Sequence, residues 1–185
     1  MNELADNLIM LKVRDGEVGK LGILFERHHV PLFNYFVKLT GRRDASEDLV
    51  QEVFLRMLKY RQGYRGESQF TVWMYRIARN AWVDHFKKAK REVLFNEDAE
   101  EPVSDDPNPS DDLEEKQEIN QLRIALAKLS PEKREVLVLS RYQDMKYDEI
   151  AELLGCAVGT VKARVHRAIK DLKDVYLELS QEKAI

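Results

Sequence analysis

A single cysteine in 185 residues, Cys156, removes two kinds of chemistry at once. It has no partner for an intrachain disulfide and cannot build a multi-cysteine zinc site, and the four histidines are not spaced as a ligand set, so no metal is expected. Glycine and proline are scarce, at eight and five, and the strand and turn pattern of a sheet-based fold is missing. No run of about 18 uninterrupted apolar residues occurs, so no span of a membrane is expected. The N-terminal MNELADNLIMLKVRDG mixes charges into helical apolar spacing and lacks the unbroken apolar core of a signal peptide, which predicts a cytoplasmic chain. Catalytic patterns are missing too. There is no nucleophile motif and no paired carboxylates in a plausible site, and the glycine-containing loop from Gly63 to Gly66 lacks the Lys and Ser/Thr of a phosphate-binding loop. Neither enzymatic activity nor a cofactor is expected.

What is present is charge and helix-forming residues. With 44% hydrophobic and 34% charged residues, and long stretches of Leu, Glu, Lys, Arg and Ala, the chain reads as soluble and all-α. The formal net charge of -3 conceals a strong asymmetry. Residues 92 to 118, EVLFNEDAEEPVSDDPNPSDDLEEKQE, hold 12 acidic residues against one Lys, and three of the five prolines. Residues 1 to 91 carry 17 Lys+Arg against 11 Asp+Glu, and residues 119 to 185 carry 12 against 10. Two basic bodies flanking an acidic connector suit a polyanionic partner. The connector is too polar to offset its own ordering entropy, so a flexible acidic linker over 92–114 is expected to join two small helical domains, 10–91 and 115–178.

Helical spacing predicts elements from Leu21 through Phe36, with Pro31 marking a kink or break, and over 45–60 and 70–90. Thr40-Gly41 ends the first, Asp44 or Ser46 can cap the second, and the loop GYRGES precedes the third. Further helices are expected at 113–128, 131–142, 148–154 and 158–178, with Ser130-Pro131 as N-cap and first-turn pair.

Three constellations carry chemistry. In YDEIAELLGCAVGTVKARVHRAIKDLK (147–173), Ile150, Ala151 and Leu154 are placed on the inner face of one helix. Gly155 permits a tight turn, and Val158, Val161 and Val165 face inward from the next helix. That is a helix-turn-helix pattern, whose second helix offers Lys162, Arg164, His166 and Arg167 to guanine edges and phosphates of a major groove; the alternative is a plain helix pair with a solvated basic face. In FTVWMYRIARNAWVDHFKKAKR (70–91), six cations face the lone acid Asp84. Phe70, Trp73 or Met74, Ile77 and Ala81 make a core stripe, while Tyr75, Arg79, Trp82 and Phe86 make a second stripe suited to stacking on unpaired bases; otherwise these aromatics pack beneath neighbouring helices. In DASEDLVQEVFLRMLK (44–59), Leu49, Val50, Val53, Phe54, Met57 and Leu58 bury one face. Asp48, Gln51, Glu52, Leu55, Arg56 and Lys59 stay nearer the surface, as a protein-docking face or a merely solvated one.

Taken in order, these three segments, with the loop YRGESQ and LSPEKREVLVLSRYQDMKYDEIAELL, resemble the extracytoplasmic-function (group IV) branch of the sigma-70 family across roughly residues 10 to 178. The resemblance implies a transcription initiation factor that reads a -35 element as duplex and a -10 element as single strand, with residues 10 to 91 as sigma region 2 and 115 to 178 as region 4. It assigns Asp48, Gln51, Glu52 and Phe54 to docking on the clamp helices of the polymerase β′ subunit, and region 4 to the β flap. Tyr64, Arg65, Gly66, Glu67 and Ser68 fall in the loop that captures a flipped -10 base. Arg76, Arg79, Asn80, Lys87 and Lys88 fall on the helix that grips the non-template strand, and Lys162, Ala163, Arg164, His166 and Arg167 on the -35 recognition helix. Promoter DNA, core RNA polymerase and an anti-sigma protein are the partners implied, the last without an identity. The linker suits passage through a basic channel of the enzyme, or serves as a soluble tether. Two positions depart from the family pattern: Lys146 stands where Ser or Thr often caps the first helix of the motif, and Ala157 where Pro often precedes the second. The reading from another class is a self-sufficient helix-turn-helix repressor or response-regulator output protein, which would bind an operator without polymerase.

Overall fold

A computed structural model describes residues 3–95 and 113–182, with side chains over 5–88 and 117–181. The described residues form eight α-helices with short 3-10 and π turns and no strand. The acidic stretch 96–112 lies outside them.

The first unit holds α1 (Glu3–Arg14), α2 (Leu21–Thr40) as far as Phe36, α3 (Arg43–Lys59) and α4 (Phe70–Phe95). α2 buries Leu24, His28, Leu32, Tyr35 and Phe36, a stripe that recurs every three or four residues and so keeps to one side of the helix. The helix runs through Pro31 without a break. The cap of α3 differs from both expected residues: Arg42 occupies the N-cap position with an extended backbone and no side-chain cap bond. Ser46 lies inside the first turn, buried, and its hydroxyl donates back to the Arg42 carbonyl. Asp44 is also in the first turn, where its charge meets the positive end of the helix and pairs with Arg42. α1 carries the unit beyond the expected bound of 10, for its Asp6 and Met10 are buried, and α4 runs past 91 to Phe95.

The second unit holds α5 (Leu113–Lys128), α6 (Pro131–Leu137), α7 (Tyr147–Leu154) and α8 (Val158–Glu182). α5, α6 and α7 all pack on α8. Ser130 and Pro131 stand at N-cap and first position, as the sequence suggests, but the Ser130 side chain makes no cap bond. Instead of one helix over 131–142, the chain widens after Leu137 into a π-helical turn, Val138–Tyr142, closed by Gln143 N–H to the Val138 carbonyl at 3.1 Å. The bend leaves Asp144 at φ 50, a left-handed conformation that Asp tolerates, and returns Met145 to the core. The Arg134 guanidinium donates to the carbonyls of Leu126, Ala127 and Leu129, closing the C-terminal end of α5 from α6. Burial holds its pKa below the usual arginine value.

Candidate nucleic-acid interface

The α7–turn–α8 segment owes its geometry to small residues and one glycine. Gly155 ends α7 at φ 63, a left-handed conformation that costs a side-chain-bearing residue about 1 kcal/mol or more. Ile150, Ala151 and Leu153 are buried on α7, and Val161, Val165 and Ala168 on α8, at i, i+4, i+7. Each such aliphatic burial contributes on the order of 1.5–3 kcal/mol for the larger side chains. Two expected inward residues are different: Leu154 is only half-buried, its place taken by Leu153, and Val158 is exposed because it opens the first turn of α8. Opposite the buried stripe, Lys162, Ala163, His166 and Arg167 are exposed and Arg164 is half-buried at the flank. The Arg167 Nε–H donates to the Ala163 carbonyl at 3.3 Å, which lays the guanidinium along the helix surface. This is a continuous cationic face on a helix of 25 residues.

Lys146 stands at the N-cap of α7, where an ammonium has no lone pair to accept an amide hydrogen. The helix recovers half of a capping box. Glu149, three residues on, accepts the Lys146 backbone N–H at 2.8 Å. Lys146→Ser would supply the missing acceptor and is expected to stabilise this unit by about 1 kcal/mol, slowing hydrogen exchange of the α7 amides roughly fivefold. Equal or faster exchange would show that the Lys side chain holds the turn in another way.

In the first unit, α4 carries Arg76, Asn80, Lys87 and Lys88 exposed and Arg79 half-buried. Asp84 lies on the same side, but Arg56 of α3 reaches it at 2.9 Å while also holding Glu52 at 2.6 Å. The hydrogen bond to Glu52 is the main cause that raises the Arg56 pKa, opposed by desolvation and reinforced by Asp84. The acid among the cations of α4 is thereby partnered.

The second aromatic stripe is not a stacking surface along its length. Tyr75 and Trp82 are 4% and 6% exposed, and Tyr75 packs edge-on against Tyr35 at 5.2 Å. Burial raises the Tyr75 phenol far above its usual pKa, so it stays neutral. Phe86, 48% exposed, is the member of the stripe that presents a face, and Trp82 lies 6.2 Å from it. The packing alternative therefore holds for the middle of the stripe.

The loop before α4 follows a 3-10 turn, Arg61–Gly63. Arg65, Glu67 and Gln69 are exposed or half-buried with Gly66 and Ser68, and Gly66 sits at φ 72. Tyr64 is different from its loop neighbours: its ring is in the core, edge-on to Trp73 at 4.8 Å, and its hydroxyl donates to Asn7 Oδ1 at 2.6 Å. It cannot line an open pocket, so its place in the loop is structural. Sequence reasoning misses this because an aromatic residue in a glycine loop reads equally as a stacker or an anchor.

On α3, Asp48 and Gln51 are exposed, Glu52 half-buried and Leu55 62% exposed, forming one outward stripe at i, i+3, i+4, i+7. Phe54 is not part of it. Its ring is buried, edge-on to Phe25 at 5.0 Å, and supports the helix from below. Leu58, expected in the core, is half-buried.

Among the described residues no group of His, Cys, Asp or Glu is arranged to hold a metal, and no helix is long and apolar enough to cross a membrane.

Comparison with known proteins adds family resemblance to this geometry. Residues 24–92 match the model for sigma-70 region 2, and residues 119–172 the model for sigma-70, region 4. The chain is 32% identical to the ECF RNA polymerase sigma factor SigE of Mycolicibacterium smegmatis over 87% of its own length, and spans 63% of that protein. It is 30% identical to the RNA polymerase sigma factor CarQ of Myxococcus xanthus, over 95% of this chain and 99% of CarQ. Among solved structures, the sigma factor RpoE in complex with the anti-sigma factor NepR from Bartonella quintana superposes with a TM-score of 0.72 at 26% identity, covering 83% of this chain and 94% of that one.

Proposed function

The chain belongs to the extracytoplasmic-function branch of the sigma-70 family, and from that premise we propose that it binds core RNA polymerase in the cytoplasm and directs it to promoters without catalysing a reaction itself. The observation that carries this reading is the presence in one chain of two cationic helix faces of different kinds. α8 offers a helix-turn-helix face fitted to an intact major groove. α4 offers cations beside a glycine loop, an arrangement suited to an unpaired strand.

The division of labour follows from the chemistry. Lys162, Arg164, His166 and Arg167 read the -35 segment as duplex, with Ala163 allowing close approach. Arg65, Gly66, Glu67 and Ser68 surround a base withdrawn from the -10 stack, while Arg76, Arg79, Asn80, Lys87 and Lys88 hold the strand that carries it. Opening costs about 1.4 kcal/mol per stacked step, so capture of one or two bases biases melting and polymerase contacts supply the rest. The residues that meet DNA and polymerase in this reading all fall within 10–91 and 115–178. An anti-sigma protein such as the one bound to RpoE in its complex would act by covering these surfaces.

Purified bacterial core polymerase, transcribing a pool of duplexes randomised upstream of a fixed run-off segment, tests the whole reading. New start sites that share two upstream sequence elements are expected only when the protein is added; operator-like binding without core and without new start sites would instead mark a repressor.

The α3 stripe is the docking face in this reading. Asp48→Lys combined with Gln51→Ala is expected to weaken affinity for core about fivefold or more, since it reverses one rim charge and removes a polar side chain. Unaltered affinity, with the helical circular dichroism intact, would move docking elsewhere.

A further inference from the structure

The family match in the first unit begins at residue 24, after α1 has ended, yet α1 underlies the loop along its length. Its residues divide into two adjacent stripes. Asp6, Met10 and Val13 point into the core and are buried. Asn7, Leu11 and Arg14, at i, i+4 and i+7, lie under the loop. Asn7 Oδ1 accepts the Tyr64 hydroxyl at 2.6 Å. Leu11 fills the space below Gly66, its two terminal methyls 3.5 Å from where a Cβ would stand. Arg14 reaches the Tyr64 carbonyl at 3.4 Å, the long end of a hydrogen bond, and its own carbonyl accepts the Gln62 side-chain amide at 2.9 Å. From the core stripe, the buried Asp6 carboxylate holds His28 at 2.9 Å, and the His28 ring lies 5.1 Å from Phe70, the first residue of α4. The two ends of the loop, Tyr64 and Phe70, are therefore both fixed from α1, one directly and one through His28.

We propose that α1 is the positioning element for base capture, and that Asn7 is a positioning residue which holds the -10 loop in its capturing shape through Tyr64. The proposal rests on the reading of Gly66 to Ser68 as a base-capture loop. Its physical content is preorganisation: a loop ordered before the base arrives does not lose its own conformational freedom on binding. Tyr64 has its ring in the core, Gly66 sits at positive φ over Leu11 and Phe70 is fully buried, so the segment is held at both ends and at Gly66. Asn7 needs no contact with DNA or polymerase to act in this way.

The test uses full-length protein with core polymerase on a template recovered from the randomised pool, as matched duplex and with its -10 segment pre-melted by mismatches. The variants are Asn7→Ala, the acceptor-preserving Asn7→Asp, Tyr64→Phe, the double variant, and deletion of 66–68. Permanganate reactivity of unpaired thymines, base preference on the pre-melted template and affinity for core are measured together. Asn7→Ala is expected to lower duplex opening about tenfold, comparable with the loss of one hydrogen bond to a buried hydroxyl, and to weaken base preference on the pre-melted template while core affinity is unchanged. Asn7→Asp should retain most of the opening, and Tyr64→Phe should add little to Asn7→Ala, since both break the same bond. If the deletion impairs opening but Asn7→Ala does not, α1 is not the positioning element and base capture stands. A deletion without effect removes base capture itself, and the positioning role with it. Equal losses on both templates accompanied by weaker core binding would show that α1 merely holds the unit together, which also overturns the proposal.

Discussion

Replacing Arg76 and Asn80 together with alanine is expected to lower open-complex formation on duplex promoters roughly a hundredfold, at about 1.4 kcal/mol for each of the two polar side chains removed. Both are exposed, one turn apart on α4. Neither is needed for the core beneath, which Met74, Ala78 and Ala81 fill. The penalty falls on the melted state, so closed-complex binding should stay within about twofold, because most of its affinity comes from duplex and phosphate interactions made elsewhere. Pre-melting the -10 segment removes the unpairing cost and should restore part of the yield without the sequence preference. Permanganate footprinting with run-off yield on both templates measures this. Equal losses on the two would indicate failed docking or folding, and no loss on either would mean that α4 does not hold the strand.

The second large effect is expected at the cationic face of α8. Arg164→Ala or Arg167→Ala should each cost about 1–3 kcal/mol of promoter discrimination if the arginine pairs in bidentate fashion with a guanine. An arginine bound to phosphate would instead weaken all sequences alike when removed, and lower the slope of log affinity against log salt by about one. The two arginines differ in setting. Arg167 is exposed and rests on the Ala163 carbonyl, whereas Arg164 is half-buried at the flank of the face. The base-reading role therefore fits Arg167 better and the phosphate role Arg164. Affinity of each variant for matched and mismatched -35 duplexes, at two or more salt concentrations, separates the cases; unchanged transcription in both variants would place recognition on another surface.

Most of the helical architecture is legible in the sequence because periodicity reports burial directly, and α2, α4 and α8 have long, regular stripes. Errors cluster where two readings share one periodicity. On α4, Tyr75 and Trp82 are spaced like a stacking surface, but the same spacing suits a second buried face when another helix covers it, and Tyr35 of α2 does so. Phe54 shares a motif with Asp48, Gln51 and Glu52, the residues proposed to dock, while its ring faces Phe25. Helix caps are equally ambiguous. Asp44 and Ser46 are good cap residues by type, yet the N-cap stands before them at Arg42, since local type does not fix register. The π turn at Val138–Tyr142 leaves no trace in the pattern, because Val136 to Leu139 are buried in an unbroken run, with no polar interval whose shift could mark the extra residue. The loop residues and the cations of α4 and α8 stand out because charged and polar side chains there fall off the apolar stripe. What no local pattern can reveal is the involvement of α1, whose partners in the loop lie about fifty residues away.

That separation has its own consequence for how the molecule forms. The Asn7–Tyr64 hydrogen bond closes 57 residues of chain, against three for the Lys146–Glu149 bond of the half capping box. The entropy lost on closure grows roughly as (3/2)RT ln n, and contacts of long span slow folding more than they lower stability. The helix-turn-helix rests on neighbours in sequence and can organise locally. The loop bed cannot exist until α4 has arrived, so α1, which precedes these partners by about fifty residues, must wait for most of its unit before they are present.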